Sequence, residues 1–400
     1  MKRRNHTIKT VDETSIVDKK VLLRVDFNVT LTKQGRIADD ARITQVLPTI
    51  THLLTNKNKI ILISHLGRPK KRDTAHSLVP VIKRLQKYLP KYKVLLVGDF
   101  ESSLGKQQLR NQKEHEILIL ENIRFYEGEQ NNDLQFAKRL AQLADVFVND
   151  AFGVCHRPDA SVVGIPKFLP SYAGLLLTKE LDAIATVLKK ANPPITAIVG
   201  GAKISTKIAF LSKLMNLADT ILLGGALANT FLLAQNKNVG RSFVEKEELP
   251  HAKKLLTFAR NHNKSLLLPV DVVGSMNGPT GKGLVFSVNS IPDMFTIYDV
   301  GPETQAHFAK VIHNSHTIIW NGPLGYCEQA TFSRGTDFIY YSIAHATHAY
   351  SLVGGGDTLA SISKKEYLHT ISHVSTGGGA MLEFIEQGSL PGIEALKSLH

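Results

Sequence analysis

The feature that most narrows the possible folds is a repeated unit: a short apolar run, then a loop carrying glycine or charge, then a stretch patterned for a helix. Apolar runs fall at 21–25, 59–64, 117–120 and 145–148 in the first half, and at 195–199, 220–223, 265–270, 317–320 and 351–353 in the second. Helix-compatible stretches such as 44–54, 78–88 and 134–143 lie between them, so the order reads β-α-β-α and the sheets are parallel. With 400 residues and 43% hydrophobic content, two cores are favoured over one. The expected class is α/β, with two doubly wound, Rossmann-like parallel-sheet domains joined by a helix and hinge. A helical stretch over 172–190 precedes Asn192-Pro193-Pro194, which marks a boundary. This gives a first domain over 1–173, a connecting helix over 174–190 and a second domain over 191–385.

The loops at the ends of these strands point to anions. In Gly354-Gly355-Gly356-Asp357-Thr358 an apolar run breaks into glycines and opens a helix, which presents bare N–H groups and a partial positive charge to a phosphate. Asp357 has two open roles there, capping the helix or holding a magnesium ion that bridges phosphate oxygens. The pattern recurs at Gly200-Gly201-Ala202-Lys203, Gly224-Gly225-Ala226, Asn321-Gly322-Pro323-Leu324-Gly325 and Ser375-Thr376-Gly377-Gly378-Gly379. Several such loops on one sheet edge make a nucleotide crevice. Lys203 and Lys207, four apart, share one face if a helix starts near Ala202, and are candidates to neutralise a phosphoryl group in transfer. A P-loop of the Gly-x-x-x-x-Gly-Lys-Ser/Thr type is missing, as are the His-Arg-Asp and Asp-Phe-Gly signatures of protein kinases.

In the first half the strands end differently. They lead into Asp26-Phe27-Asn28, His65-Leu66-Gly67-Arg68-Pro69, Glu121-Asn122-Ile123-Arg124-Phe125, and Asn149-Asp150-Ala151-Phe152-Gly153 with His156-Arg157 beyond. Carboxyl ends in one parallel sheet lie side by side, so Arg68, Arg124 and Arg157 should converge. Crowded guanidinium groups imply a small ligand with several negative charges, because their planar forks match phosphate and carboxylate oxygens. Arg36, in the turn Lys33-Gln34-Gly35-Arg36, is a further candidate. His65 and His156 lack metal-ligand spacing, which leaves hydrogen bonding to an oxyanion or ordinary packing.

The net charge of +13 raises nucleic acid as a partner, but the basic residues are dispersed apart from Met1-Lys2-Arg3-Arg4 and Lys70-Lys71-Arg72. No helix-turn-helix, zinc-finger or aromatic-basic signature accompanies them, so a nucleic-acid role is not expected. Cys155 and Cys327 are too few for a disulfide framework and fit a reducing compartment. No apolar leader and no run near the ~20 residues of a membrane span is present, so the cytoplasm is expected and a membrane is not.

Taken together, Arg24-Val25-Asp26-Phe27-Asn28-Val29, Ser64-His65-Leu66-Gly67-Arg68-Pro69, the 121–125 and 149–153 segments, Gly200-Gly201-Ala202-Lys203, Trp320-Asn321-Gly322-Pro323, Gly355-Gly356-Asp357-Thr358 and Ser375-Thr376-Gly377-Gly378-Gly379-Ala380 resemble the phosphoglycerate kinase family, in that family's order, from about 21 to 392. The resemblance implies reversible phosphoryl transfer between 1,3-bisphosphoglycerate and ADP, giving 3-phosphoglycerate and ATP. It implies substrate contacts from Asp26, Phe27, Asn28, Arg36, His65, Leu66, Gly67, Arg68, Arg124 and Arg157. On the nucleotide it implies Lys207, Glu328, Gly355, Gly356, Asp357 and Thr358, with Asp357 on Mg2+. Arg36, Lys203, Lys207 and the N–H groups of Gly377 and Gly378 would surround the migrating group. It further implies a monomer whose halves close for reaction and whose last residues, 386–400, return to the first domain. Thr30, Ile297 and Cys327 depart from the family's usual residues, and Asp159 places a carboxylate near the arginines. Two other readings stay open: a kinase for a different carboxylic acid, and a non-catalytic homologue that binds nucleotide or another anion.

Overall fold

The computed structural model describes residues 8–32 and 34–397. The chain forms two compact units, Met1–Leu181 with Ser389–His400, and Asp182–Gly388. Their boundary falls inside the helix Leu175–Lys189 rather than at either end of it.

The first unit holds a six-stranded parallel sheet of β1 (Lys20–Arg24), β2 (Lys59–Ile63), β3 (Lys93–Val97), β4 (Glu116–Leu120), β5 (Val146–Asn149) and β6 (Ser171–Ala173), in the order β3-β4-β2-β1-β5-β6. Helices cover both faces, so β2 reads Lys-Ile-Ile-Leu-Ile with no polar alternation and all four apolar residues enclosed. Each fully buried Ile or Leu of such a strand contributes about 1.5–3 kcal/mol. Two strands, β3 and β6, go beyond the sequence expectation; β6 takes the start of the stretch with a helical pattern, and the helix itself begins at Leu175.

The second unit contains β7 (Ile195–Val199), β8 (Thr220–Leu223), β9 (Ser265–Leu267), β10 (Asp271–Ser275), β11 (Leu284–Ser287), β12 (Thr296–Val300), β13 (Thr317–Asn321), β14 (Tyr350–Gly354) and β15 (His373–Ser375). Six of these form a parallel sheet in the order β15-β14-β13-β7-β8-β9. The remaining three make a small antiparallel sheet, β11-β10-β12, with its own core around Val272, Phe295 and Ile291. The apolar pattern does not announce this sheet: the run over 265–270, expected as one strand, ends at Leu267, and the chain pairs again only from Asp271.

In each large sheet the unit's first strand is central, β1 between β2 and β5, and β7 between β8 and β13. That reversal is where open α/β sheets leave a crevice beyond their carboxyl ends. Register aligns those ends: Arg24 pairs with both Ile63 and Asn149, and Asn321 with both Val199 and Gly354. The segment after Ser389 is fastened by Gly392 N–H donating to the Cys155 carbonyl at 2.8 Å. A Cβ on Gly392 would lie 2.7 Å from Val162 Cγ1, so only glycine lets the helix Pro391–Lys397 approach. Among the described residues no helix is long and apolar enough to cross a membrane.

The end of β5 also starts the helix Leu175–Lys189. Asp150 accepts from the Leu177 N–H at 2.9 Å, while its other oxygen is buried and has no hydrogen-bond partner among the described residues. Burial outweighs the hydrogen bonds and pushes its carboxyl from 3.8 to about 7. An acid whose folded pKa is raised holds its proton in the native state over a range where the unfolded chain has lost it. Native stability therefore falls as pH climbs through that range, and Asn, which cannot ionise, is spared. In urea titrations, Asp150→Asn should gain stability relative to the parent chain between about pH 4 and about pH 7 and hold a constant difference above. A difference independent of pH over that interval would contradict the assignment.

Candidate active site

In the first unit, the loops after β1, β2, β4 and β5 are stitched together by side chains before any ligand is considered. Phe27 N–H donates to Ser64 Oγ at 2.8 Å, and Gly67 N–H to Asn28 Oδ1 at 2.8 Å. Asn122 Nδ2 donates to the carbonyls of Leu66 and His76, at 2.8 and 2.9 Å. Asp26 is engaged by Arg42 and accepts from the Asn28 N–H. Burial raises its carboxyl pKa, but Arg42, Arg24 and the Asn28 N–H together hold it below the usual carboxylate range.

On this frame sits a concentration of positive charge. Arg124 is 6% exposed and donates from Nη1 to the Gly67 carbonyl at 2.7 Å, yet its buried Nε and Nη2 have no hydrogen-bond partner among the described residues. Burial, then Arg157, push its guanidinium down to about 10, with Asp159 opposing. Asp159 Oδ2 is 3.8 Å from Arg124 Nη2, so the extra carboxylate faces Arg124 rather than Arg157. Half-buried Arg157 also bears on His65, which is 2% exposed. The structure thus gathers Arg124, Arg157 and His65. Arg36 and Arg68 are exposed on their loops and, among the described residues, stand outside this hydrogen-bonded cluster. Phe27 and Leu66, expected at the substrate, have their side chains enclosed in the core. Three contributors were not singled out from sequence: Arg24, fully buried; Arg42, which holds Asp26; and Asn122, which ties two loops. A charged residue inside the apolar run 21–25 was the available signal for Arg24.

In the second unit the glycine loops surround two adjoining cavities. One, ≈ 470 Å³, lies between Gly225, Phe243, Ile297, Tyr298, Leu324 and Glu328. The other, ≈ 430 Å³, is walled by Lys203, Lys207, Gly322, Gly356, Asp357 and Gly378. Gly201, Ala202, Lys203 and Pro323 border both. Trp320, wholly buried, donates from Nε1 to the Gly322 carbonyl at 2.9 Å, which pins the loop to the core. Gly322 adopts φ +89°, and a Cβ there would lie 2.7 Å from Lys207 Nζ.

Lys207 Nζ donates to the Gly200 carbonyl at 2.6 Å and to Asn321 Oδ1 at 2.7 Å, and Asn321 Nδ2 in turn donates to the Gly354 carbonyl at 2.9 Å. Burial lowers its pKa to about 8, against the pull of Asp357. The ammonium is therefore poised at the cavity wall with two of its three protons committed. The helix begins at Ile208, not near Ala202, so Lys203 and Lys207 project from a loop and do not share a helix face. Gly377 differs from expectation as well: its N–H donates to Ser375 Oγ at 3.2 Å, while Gly378 and Gly379, at the start of the helix Gly378–Gln387, border the cavity. Thr358 is fully buried, accepts from the Gly322 N–H and donates to the Gly354 carbonyl, so it braces the loops. Gly355 takes the N-cap position of the helix Gly356–Ser361, which leaves Asp357 exposed at the cavity rather than capping.

No group of three or more His, Cys, Asp or Glu side chains suited to a metal occurs among the described residues. A lone carboxylate at a cavity walled by lysines and glycines still fits Mg2+, which keeps several waters and takes one or two carboxylates with substrate phosphates. Cys327 turns its thiol to Gly325 O and Thr336 Oγ1 and does not line the larger cavity, whereas Ile297 does.

The family model described as phosphoglycerate kinase matches residues 11–388. Relatives named phosphoglycerate kinase include one from Pelotomaculum thermopropionicum, 43% identical over 97% of this chain and 98% of the relative, and one from Anaeromyxobacter dehalogenans, 44% identical over 97% and 99%. The solved phosphoglycerate kinase from Coxiella burnetii superposes with a TM-score of 0.85 at 38% identity, over 97% of this chain and 98% of that one. That from Pyrococcus horikoshii gives 0.84 at 29%, over the same shares. With near-complete coverage, two parallel six-stranded sheets and glycine loops at the strand ends, this chain belongs to the phosphoglycerate kinase family.

Proposed function

We propose that the chain catalyses reversible, Mg2+-dependent phosphoryl transfer between 1,3-bisphosphoglycerate and ADP, giving 3-phosphoglycerate and ATP. The observation that carries this reading is Arg124: a buried guanidinium beside a second arginine, with two nitrogens that lack acceptors, is stabilised when a multiply charged anion supplies them. The first unit would accordingly hold the phosphoglycerate, through Arg124, Arg157 and His65, with Arg36 and Arg68 reaching from exposed loops. In the second unit, the larger cavity suits the base, Glu328 the ribose, and the loops at Lys207, Gly356 and Gly378 the phosphates.

In the ATP-consuming direction a carboxylate oxygen of 3-phosphoglycerate bonds to the γ-phosphorus as the bond to the β-phosphate oxygen breaks, and the electron pair leaves with ADP. This chemistry asks the protein for alignment and charge compensation rather than covalent help. Lys207, Lys203, Arg36 and the Gly378 N–H would offset charge on the migrating phosphoryl. Gly377 drops out because its N–H is committed. Bound through Asp357, Mg2+ would neutralise phosphate oxygens and orient the nucleotide. Transfer between ligands held on separate units requires a hinge-bending approach that also excludes water. The same reading places the protein in the cytoplasm as a monomer; its two free thiols fit a reducing compartment.

Supplied with ATP, Mg2+ and 3-phosphoglycerate, the purified chain should release ADP; glycerate and other small carboxylates should support little turnover. No turnover, or faster turnover with a different acid, would overturn the assignment. Lys207→Ala should lower kcat by about 10²–10³-fold while changing nucleotide KM by less than about tenfold, and equal losses in both would make the lysine a binding group only. Because the ammonium loses its proton near pH 8, kcat/KM for nucleotide should fall as pH rises through about 8, and Lys207→Arg should lack that limb.

A further inference from the structure

Behind the proposed phosphoglycerate site lies a charged group with no exposure. Arg24, the last residue of β1, is fully buried, and each of its nitrogens has a defined acceptor. Nε–H donates to Ser161 Oγ at 2.8 Å, Nη1–H to the Val25 carbonyl at 2.5 Å, and Nη2–H meets His65 Nδ1 at 3.4 Å. Ser161 is fixed in turn, since its hydroxyl donates to Glu129 Oε1 at 2.5 Å and its N–H to Oε2 at 2.9 Å. Glu129 is itself unexposed, and Arg24 Nη2 stands 4.0 Å from Oε1. The chain Glu129–Ser161–Arg24 therefore holds the guanidinium plane in one orientation, with one edge turned to the imidazole.

A guanidinium has five N–H donors and no acceptor. The ring nitrogen it faces must offer a lone pair, so a neutral His65 carries its proton on Nε2. Among the described residues His65 makes its side-chain hydrogen bond through Nδ1 alone, which leaves Nε2–H uncommitted. We propose that Arg24 is a positioning residue that locks His65 as the neutral Nε2–H tautomer, so that this histidine serves the anionic substrate as a fixed hydrogen-bond donor and not as a titrating charge. The substrate's identity rests on the function proposed above; the tautomer does not.

The charged groups that face the ring act in opposite senses. Burial disfavours the imidazolium, Asp26, 3.8 Å from Nδ1, favours it, and Arg24, Arg124 and Arg157 oppose it, with the balance well below the ordinary value. A neutral donor adds a hydrogen bond to an anion without adding a further positive charge to a crowded site. It also frees substrate binding from protonation of this ring.

The test is a nitrogen-15 spectrum of the imidazoles in the full, ligand-free chain, with the His65 signals identified by their loss in His65→Asn. The expected result is a protonated-type Nε2 and an unprotonated-type Nδ1 that stay unchanged across the neutral pH range. A protonated Nδ1, or an imidazolium there, overturns the proposal without bearing on the enzyme's substrate. In Ser161→Ala, which removes the acceptor of Arg24 Nε, the tautomer signals should broaden toward a mixture, and KM for 3-phosphoglycerate should rise about fivefold with kcat little changed. A Ser161→Ala protein that keeps both the parent spectrum and the parent KM also overturns it. Should that variant not fold, the parent spectrum decides alone.

Discussion

The constraint on which the first unit depends is a largely buried guanidinium that is only partly bonded. Arg124 gives one hydrogen bond to Gly67 and leaves two nitrogens without acceptors, beside a second arginine. Such an arrangement works against folding, because a buried cation needs compensation and a like charge nearby removes some of it. The surrounding loops tolerate it because they are over-determined: Asn28, Ser64 and Asn122 tie the strand ends to one another, and Asp159 offsets part of the charge at 3.8 Å. On the proposed function, an incomplete cation so firmly framed is preorganised for the anionic substrate.

The second unit meets the same problem with backbone instead of side chains. Its positive charge comes from glycine loops at helix starts, from Lys203 and from the half-buried Lys207, which two neighbouring oxygens hold in place. Glycine is required at Gly322, where φ is +89° and a Cβ would strike the Gly200 carbonyl oxygen, and Trp320 anchors the same loop from below. On the proposed function, each unit uses the carboxyl ends of a parallel sheet to hold an anion, one with guanidinium forks and one with N–H groups.

Much of this is legible in the sequence because it rides on two periodic signals. Apolar runs locate β1, β2, β4 and β5, and glycine after a strand locates the second unit's loops. The elements that escape have weaker or conflicting signals. The strand β6 is three residues long and runs almost directly into a helix, so its pattern merges with the helical one. The sheet β11-β10-β12 is antiparallel and small, and β11 alternates buried depth in a way that a search for continuous apolar runs passes over. At the site, side-chain chemistry suggests Arg68, Arg124 and Arg157 equally, yet only folding decides that Arg124 is enclosed while Arg68 stays at the surface. Gly377 has the sequence setting of an N–H donor to a ligand, but Ser375, two residues earlier, takes that bond. Arg24 and Glu129 are far apart in sequence and meet through Ser161, which no local pattern announces.

On the proposed function, the open N–H groups of Arg124 are completed by the phosphoglycerate. The most direct measurement is the shift in unfolding temperature on adding 3-phosphoglycerate, compared between the parent chain and Arg124→Gln, since a ligand that binds only the native state raises stability by mass action. The account predicts a clear rise in the parent that is largely lost in the variant. An equal rise in both would show that the ligand is held elsewhere and would contradict it.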